Sequence, residues 1–140
     1  MCLIVKKGDE IRHVDREVEC WKVLRKDEDG KLYSPFYGVE YRLGEDKVLG
    51  EWEEMKVDVY PCGYLGTYYA VNHGLHTYAV YEDAAVVASE VSNDVVVRCI
   101  IPVGARCISG VLSSEDREHG YVSDRLVVKE EVRYRINKSY

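Results

Sequence analysis

Apolar residues recur along this chain at two spacings, and these assign most of its elements. From Glu82 onward, Ala84, Val87, Ala88 and Val91 fall at i, i+3, i+4 and i+7, the apolar stripe of a helix. The spacing predicts a helix over 81–92, closed by Asn93-Asp94, with Glu82 and Asp83 in its first turn, where carboxylates favour the helix dipole. Val95 to Ile101 is too uniformly apolar for a strand with one wet face, so it predicts a central strand, turned by Pro102-Val103-Gly104. Glu17 to Arg25 is rich in β-formers and predicts another strand, followed by a turn at Asp27-Glu28-Asp29-Gly30. Leu32-Tyr33 begins the return and Ser34-Pro35 breaks it. Phe36 to Leu43 predicts an extended piece ending in a turn at Gly44-Glu45-Asp46-Lys47. Met55, Val57 and Val59 alternate as on a half-buried strand.

Pro61 to His73 carries Gly63, Gly66 and the rings of Tyr64, Tyr68 and Tyr69, and predicts a loop. Ser109 to Gly120 predicts a polar loop, and Leu126 to Ile136 a last strand. Many strands and about one dependable helix make an α+β fold with a mainly antiparallel sheet. Neither repeats nor a linker interrupt the chain, so 1–140 is expected to form a single globular domain.

Composition narrows the function classes. The 46% apolar and 31% charged content is that of an ordinary globular domain. A formal net charge of −6, with basic residues scattered among acids, argues against nucleic acid as a partner. No apolar run is long enough to span a bilayer, and the N-terminus lacks the pattern of a secretory signal, so a cytoplasmic location is expected. Cys2, Cys20, Cys62, Cys99 and Cys107 show no CxxC spacing and read as reduced, partly buried thiols.

Few constellations carry chemistry. Met1-Cys2 before an apolar strand resembles the start of class II glutamine amidotransferases, with Leu3 where that family has glycine; the plainer reading is a small hydrophobe on a strand. His73 and His76 are the only close pair of metal-ligand type, so no metal is expected. Asp27 to Lys31 has the acids of a calcium loop without its distant glutamate. Glu51, Glu53 and Glu54 around Trp52 read as a solvated face. His76, just ahead of the helix and beside a tyrosine-rich loop, either lines a pocket and exchanges protons near neutral pH or is held by backbone hydrogen bonds. Ser123-Asp124 after Tyr121 offers a hydroxyl and a carboxylate, or simply a turn.

Several pieces carry a resemblance. Met1-Cys2-Leu3, Cys20-Trp21-Lys22-Val23-Leu24, Gly30 to Phe36, Leu75-His76-Thr77-Tyr78 with Glu82-Asp83-Ala84, Cys99 to Gly104 and Tyr121-Val122-Ser123 resemble a family of small uncharacterised proteins of gut bacteria and their phages. That resemblance implies one coherent domain and no particular chemistry. The order of elements is also similar to that of ADP-ribosyltransferases. It runs from Trp21-Lys22 through a Gly-Leu-His-Thr-Tyr strand leading into a helix, then an Ile-Pro-x-Gly strand end, to Lys129-Glu130-Glu131. This likeness implies NAD as cofactor, with Lys22 and Tyr78 on it and Glu130 or Glu131 as the acid. Lys22 stands where that superfamily has Arg or His.

The leading expectation is an accessory domain without a cofactor. It would bind a small ligand or a protein partner through an aromatic-lined pocket of Trp21, Lys22, Tyr37, Tyr68, Tyr69, His76 and Tyr78. The alternative is an NAD-binding, ADP-ribosyltransferase-like protein, active or not, with Glu130, Glu131 and His76 as candidate catalytic groups. A homo-oligomer joined through a strand edge is a third expectation.

Overall fold

The computed structural model describes residues 3–6, 10–35, 38–49, 59–62, 68–71, 74–112 and 118–132, with backbone alone for residues 6, 59–62 and 68–70. Sheet dominates, and every strand pairing among the described residues is antiparallel. The strands are β1 (Leu3–Lys6), β2 (Arg12–His13), β3 (Val18–Lys26), β4 (Leu32–Tyr33), β5 (Glu40–Tyr41), β6 (Asp46–Val48), β7 (Val59–Cys62), β8 (Tyr68–Val71) and β9 (Leu75–Tyr78). Helix α1 (Tyr81–Ser89) follows, then β10 (Asp94–Ile101), β11 (Arg106–Leu112), β12 (His119–Ser123) and β13 (Arg125–Val132). Across the sheet the order is β6-β13-β10-β3-β9-β12-β11-β1-β8-β7, with the β4–β5 hairpin attached to β3 and β2 to β11.

The apolar run 95–101 does become a central strand. β10 lies between β13 and β3, and Val97, Cys99 and Ile101 are fully buried. Asp27 Oδ1 accepts hydrogen bonds from the backbone N–H groups of Asp29 and Lys31, at 3.0 and 2.8 Å, which closes the predicted turn. No His, Cys, Asp or Glu trio converges among the described residues, and no helix there is long and apolar enough to cross a membrane.

Three expectations about elements are corrected. The helix expected over 81–92 stops at Ser89, whose hydroxyl donates to the Val86 carbonyl at 2.6 Å. That local bond and the turn formers Ser92 and Asn93 compete with continued helix. The buried face is therefore Ala84, Ala85 and Ala88, and Val91 is left 39% exposed. Within the expected loop 61–73, residues 61–62 and 68–71 belong to β7 and β8. Ser109 to Leu112 extends β11 rather than opening a loop, and His119-Gly120 already belongs to β12.

Two cores sit on the two faces of the sheet. On the helix face, the alanines of α1 cover Val23, Tyr78, Val96, Ile108 and Val122, with Trp21 and Tyr81 packed alongside. The other face carries Cys20, Cys99 and Cys107 and is here termed the thiol face; Leu24, Leu75, Val97, Leu126 and Val128 fill it, and Leu32 and Tyr41 of the hairpin cover it. Helix α1 is poor in large side chains because alanines let it lie close to the sheet.

Candidate functional site

Strand alternation decides which side chains can meet, because successive residues point to opposite faces. Trp21 faces the helix and pairs directly with Tyr78. Its ring meets Tyr81 edge-on, with centroids 6.3 Å apart. Tyr78 is only 5% exposed, and burial pushes its phenol up to about 12. These rings are helix-face packing rather than the walls of an open pocket. Tyr37 lies outside the described residues, as do Cys2, His73 and the acids flanking Trp52; of Tyr68 and Tyr69 the structure gives the strand position only.

Lys22 points the other way. Its strand pairs along its whole length with β10, from Val18↔Ile101 to Arg25↔Asp94, yet meets β9 only at Trp21↔Tyr78. Farther along, the same edge of β3 is taken by β4 at Arg25↔Tyr33. Among the described residues no strand pairs with the edge between these two attachments, and Lys22 Nζ crosses it to donate to the His76 carbonyl at 2.8 Å. The ammonium also stands 5.3 Å from the centre of the Tyr41 ring, which Lys47 Nζ approaches to 5.0 Å. Among the described residues no carboxylate pairs with Lys22. Burial lowers its pKa to about 8, against the small opposing influence of the neighbouring Cys99 and Cys20.

The register continues this polar position across the sheet. Lys22 falls opposite Thr77 by extension of the Trp21↔Tyr78 pair, Thr77 pairs with Tyr121, and Tyr121 with Ser109. Ser123, two residues beyond Tyr121, lies on the same face opposite Cys107. Thr77 and Ser123 are fully buried; among the described residues Ser123 Oγ has no hydrogen-bond partner, and Thr77 Oγ1 meets only the weakly bonding Cys20 thiol. The Cys20 thiol lies beside the Thr77 hydroxyl, but burial dominates and pushes it up to about 11. Cys99 and Cys107 are pushed up to about 12 for the same reason. All three are free thiols and stay protonated near neutrality, so they act as small apolar side chains here.

At the Ser109 end the stripe opens. A depression of about 320 Å³ is bordered by Glu10, Arg12, Val18, Cys107, Ser109 and Tyr121. Thr77 is one strand spacing, about 5 Å, behind Tyr121. A larger depression of about 530 Å³ lies between the end of α1 and the start of β10, with Asp94 and Glu131 on its border. Those carboxylates are already held, by Arg25 at 2.9 Å and Lys26 at 3.1 Å. The larger hollow therefore has small apolar walls and engaged charges, and the smaller one borders Tyr121 and Cys107, the pairing partners of Thr77 and Ser123.

His76 is fixed by the backbone. Nδ1 lies 3.0 Å from the Gly74 carbonyl oxygen and Nε2 3.1 Å from that of Val71. Burial lowers its pKa despite these acceptors. Glu130 shares the helix face with Trp21 and Tyr78, through the row Glu130↔Arg98↔Trp21↔Tyr78, and ion-pairs with Arg98 at 2.9 Å. Glu131 faces the opposite way and pairs with Lys26. The NAD constellation is thus divided, with Tyr78 and Glu130 on one face and Lys22 and Glu131 on the other.

Thr77 and Arg12 carry no motif that signals a site in the sequence, and Ser123 after Tyr121 offers one only as a partner of Asp124. What does mark Thr77 and Ser123 is a polar residue in apolar register: Thr77 alternates with Leu75, and Ser123 with Tyr121, at positions that face the core. Asp124 is the turn that Ser123-Asp124 suggested, its two oxygens accepting from Arg106 N at 2.8 Å and Arg106 Nε at 2.7 Å. No protein-family model, curated protein or solved structure matches the chain.

Proposed function

We propose that this protein is a small-ligand-binding domain whose ligand enters between Arg12 and Tyr121 and sets an acceptor-rich polar group against Thr77, Ser123 and Lys22. One observation carries the reading. The fully buried Ser123 hydroxyl has no hydrogen-bond partner and the buried Thr77 hydroxyl meets only the weakly bonding Cys20 thiol, beside an ammonium that has one hydrogen bond and, among the described residues, no carboxylate. A buried polar group without a partner costs about 1–3 kcal/mol. Polar groups left under-satisfied in one stripe of an otherwise apolar face cost stability in a domain of this size, unless a bound molecule satisfies them. The ligand chemistry follows from the donors: hydroxyls and an ammonium suit a small carboxylate or an equivalent oxyanion, and Arg12 at the border carries the same sign. Tyr121 supplies the flat apolar wall that such pockets combine with a few polar tips.

The test is a thermal-shift screen against small mono- and dicarboxylates and inorganic phosphate at millimolar concentration. A bound member at about 100 times its dissociation constant adds roughly 2.7 kcal/mol, seen as a rise of several degrees. The rise is lost in Thr77→Val, which keeps the side-chain shape and removes the hydroxyl. The reading is overturned if no compound shifts the wild type and a crystal structure shows one ordered water bridging Thr77 Oγ1 and Ser123 Oγ.

A further inference from the structure

We infer that Lys22 is an amine nucleophile, and that the ligand taken by this stripe is a carbonyl compound captured as an imine. This rests on the binding reading above and adds the chemistry of the captured group. The geometry carries it. Lys22 Nζ is half-buried in the gap between β9 and β4, neither sealed in the core nor free in water. The protein asks it for a single N–H, given to the His76 carbonyl. A protonated imine retains one N–H, so capture costs no hydrogen bond to the protein. No carboxylate among the described residues holds the nitrogen in its charged form, and its neighbours on this face are the Tyr41 ring, Val97 and the Cys20 and Cys99 thiols. Burial then keeps a sizeable share of the amine neutral near pH 8.

The step balances without an oxidant or reductant. The nitrogen lone pair adds to the carbonyl carbon and the N–C bond forms. A proton passes from nitrogen to the former carbonyl oxygen, giving a carbinolamine. The hydroxyl takes a proton from solvent, its C–O bond breaks and water leaves, and the nitrogen lone pair closes the C=N bond as a protonated imine that keeps one N–H. The Thr77 hydroxyl, across the gap from Lys22, is the buried donor available to the departing oxygen. The Tyr41 phenol, pushed up to about 12 by burial, stays protonated throughout.

The experiment uses the folded protein, butyraldehyde and sodium cyanoborohydride, which reduces the imine to a stable amine, with each lysine mapped by peptide mass spectrometry. Lys26 and Lys129 serve as exposed references. At pH 7.5 Lys22 is expected to be modified at least ~10-fold faster than either, since burial leaves part of its amine neutral there. Its rate levels off above pH 8. In guanidinium chloride the preference disappears. Modification of Lys26 and Lys129 with Lys22 untouched in the folded state overturns the inference. If Lys22 stays untouched but simple carboxylates still raise the melting temperature, the imine fails and the binding reading survives. If Lys22 is trapped but neither carboxylates nor phosphate bind, the amine chemistry stands and the oxyanion assignment falls.

Discussion

A single residue, Lys22, sets one of two opposing terms in how stability depends on pH. Its folded pKa is lowered to about 8 from 10.5. Between those values the unfolded chain binds more protons than the fold, so stability rises with pH through that window. The buried thiols act the other way. Cys20, Cys99 and Cys107 are raised from 9.0 to about 11, 12 and 12. Above pH 9 the fold holds protons that the unfolded chain releases, and stability falls as pH rises. One amine against three thiols predicts a rise from pH 8 to 9 and a steeper fall beyond. Urea unfolding in reducing buffer across pH 7–10 reads this directly. Lys22→Met removes the rising limb and, at pH 7, stabilises the protein by about 1–3 kcal/mol, because a desolvated charge is exchanged for an apolar side chain of similar length. A wild-type curve falling steadily from pH 7.5, with a less stable Lys22→Met, contradicts this account.

At the scale of elements, legibility followed periodicity and failed where pairing partners decide. The strand 95–101 was readable because burial on both faces leaves an apolar run broken only by Arg98, which pairs with Glu130. The helix was readable from Ala84, Val87 and Ala88, but its end was not, since the Ser89–Val86 bond is a local competitor that apolar spacing does not encode. The segment 61–73 reads as a loop because its glycines and tyrosines obscure alternation, yet β8 pairs along β1 from Leu3↔Val71 to Lys6↔Tyr68. The site was half legible. Lys22 stands out through its place beside Trp21, whereas Thr77 is masked in the sequence by His76, the more reactive residue type beside it. Nothing in the sequence foretells the gap between β9 and β4 that admits the ammonium. Gly120 shows how tightly the elements around that gap are set. A Cβ there would meet Leu112 Cγ at 2.7 Å and the Thr77 carbonyl oxygen at 2.7 Å. The carbonyl cannot yield without opening the β9–β12 pairing. Gly120→Ala is therefore expected to cost about 2–4 kcal/mol by denaturant unfolding, with Val86→Ala at a 55% exposed helix position as a control within about 0.5 kcal/mol of wild type.

For the molecule as a whole, the strand order controls how it must fold. Pairings between strands adjacent in sequence occur at the sheet's margins in β4–β5 and β7–β8, and within it in β11–β12. The centre joins distant parts of the chain: β3 to β10 through Lys22↔Val97, β10 to β13 through Arg98↔Glu130, and β1 to β11 through Leu3↔Leu112. Closing such loops costs entropy before the contacts repay it. A sheet of this connectivity belongs with slow folders, and refolding is expected on the order of milliseconds to seconds. The β3–β10–β13 centre has the longest register and the most fully buried side chains, so it is the natural nucleus. Val97→Ala, within it, should slow refolding in proportion to the stability it removes, whereas Leu3→Ala, on a strand that docks later, should leave the folding rate near wild type and speed unfolding. Stopped-flow tryptophan fluorescence over a urea series separates the two limbs. Equal slowing of refolding by both substitutions would mean that the sheet forms from both ends at once. In that case the gap holding Lys22 would close with the final pairing of β9 onto β3 rather than be built around a central strand pair already in place.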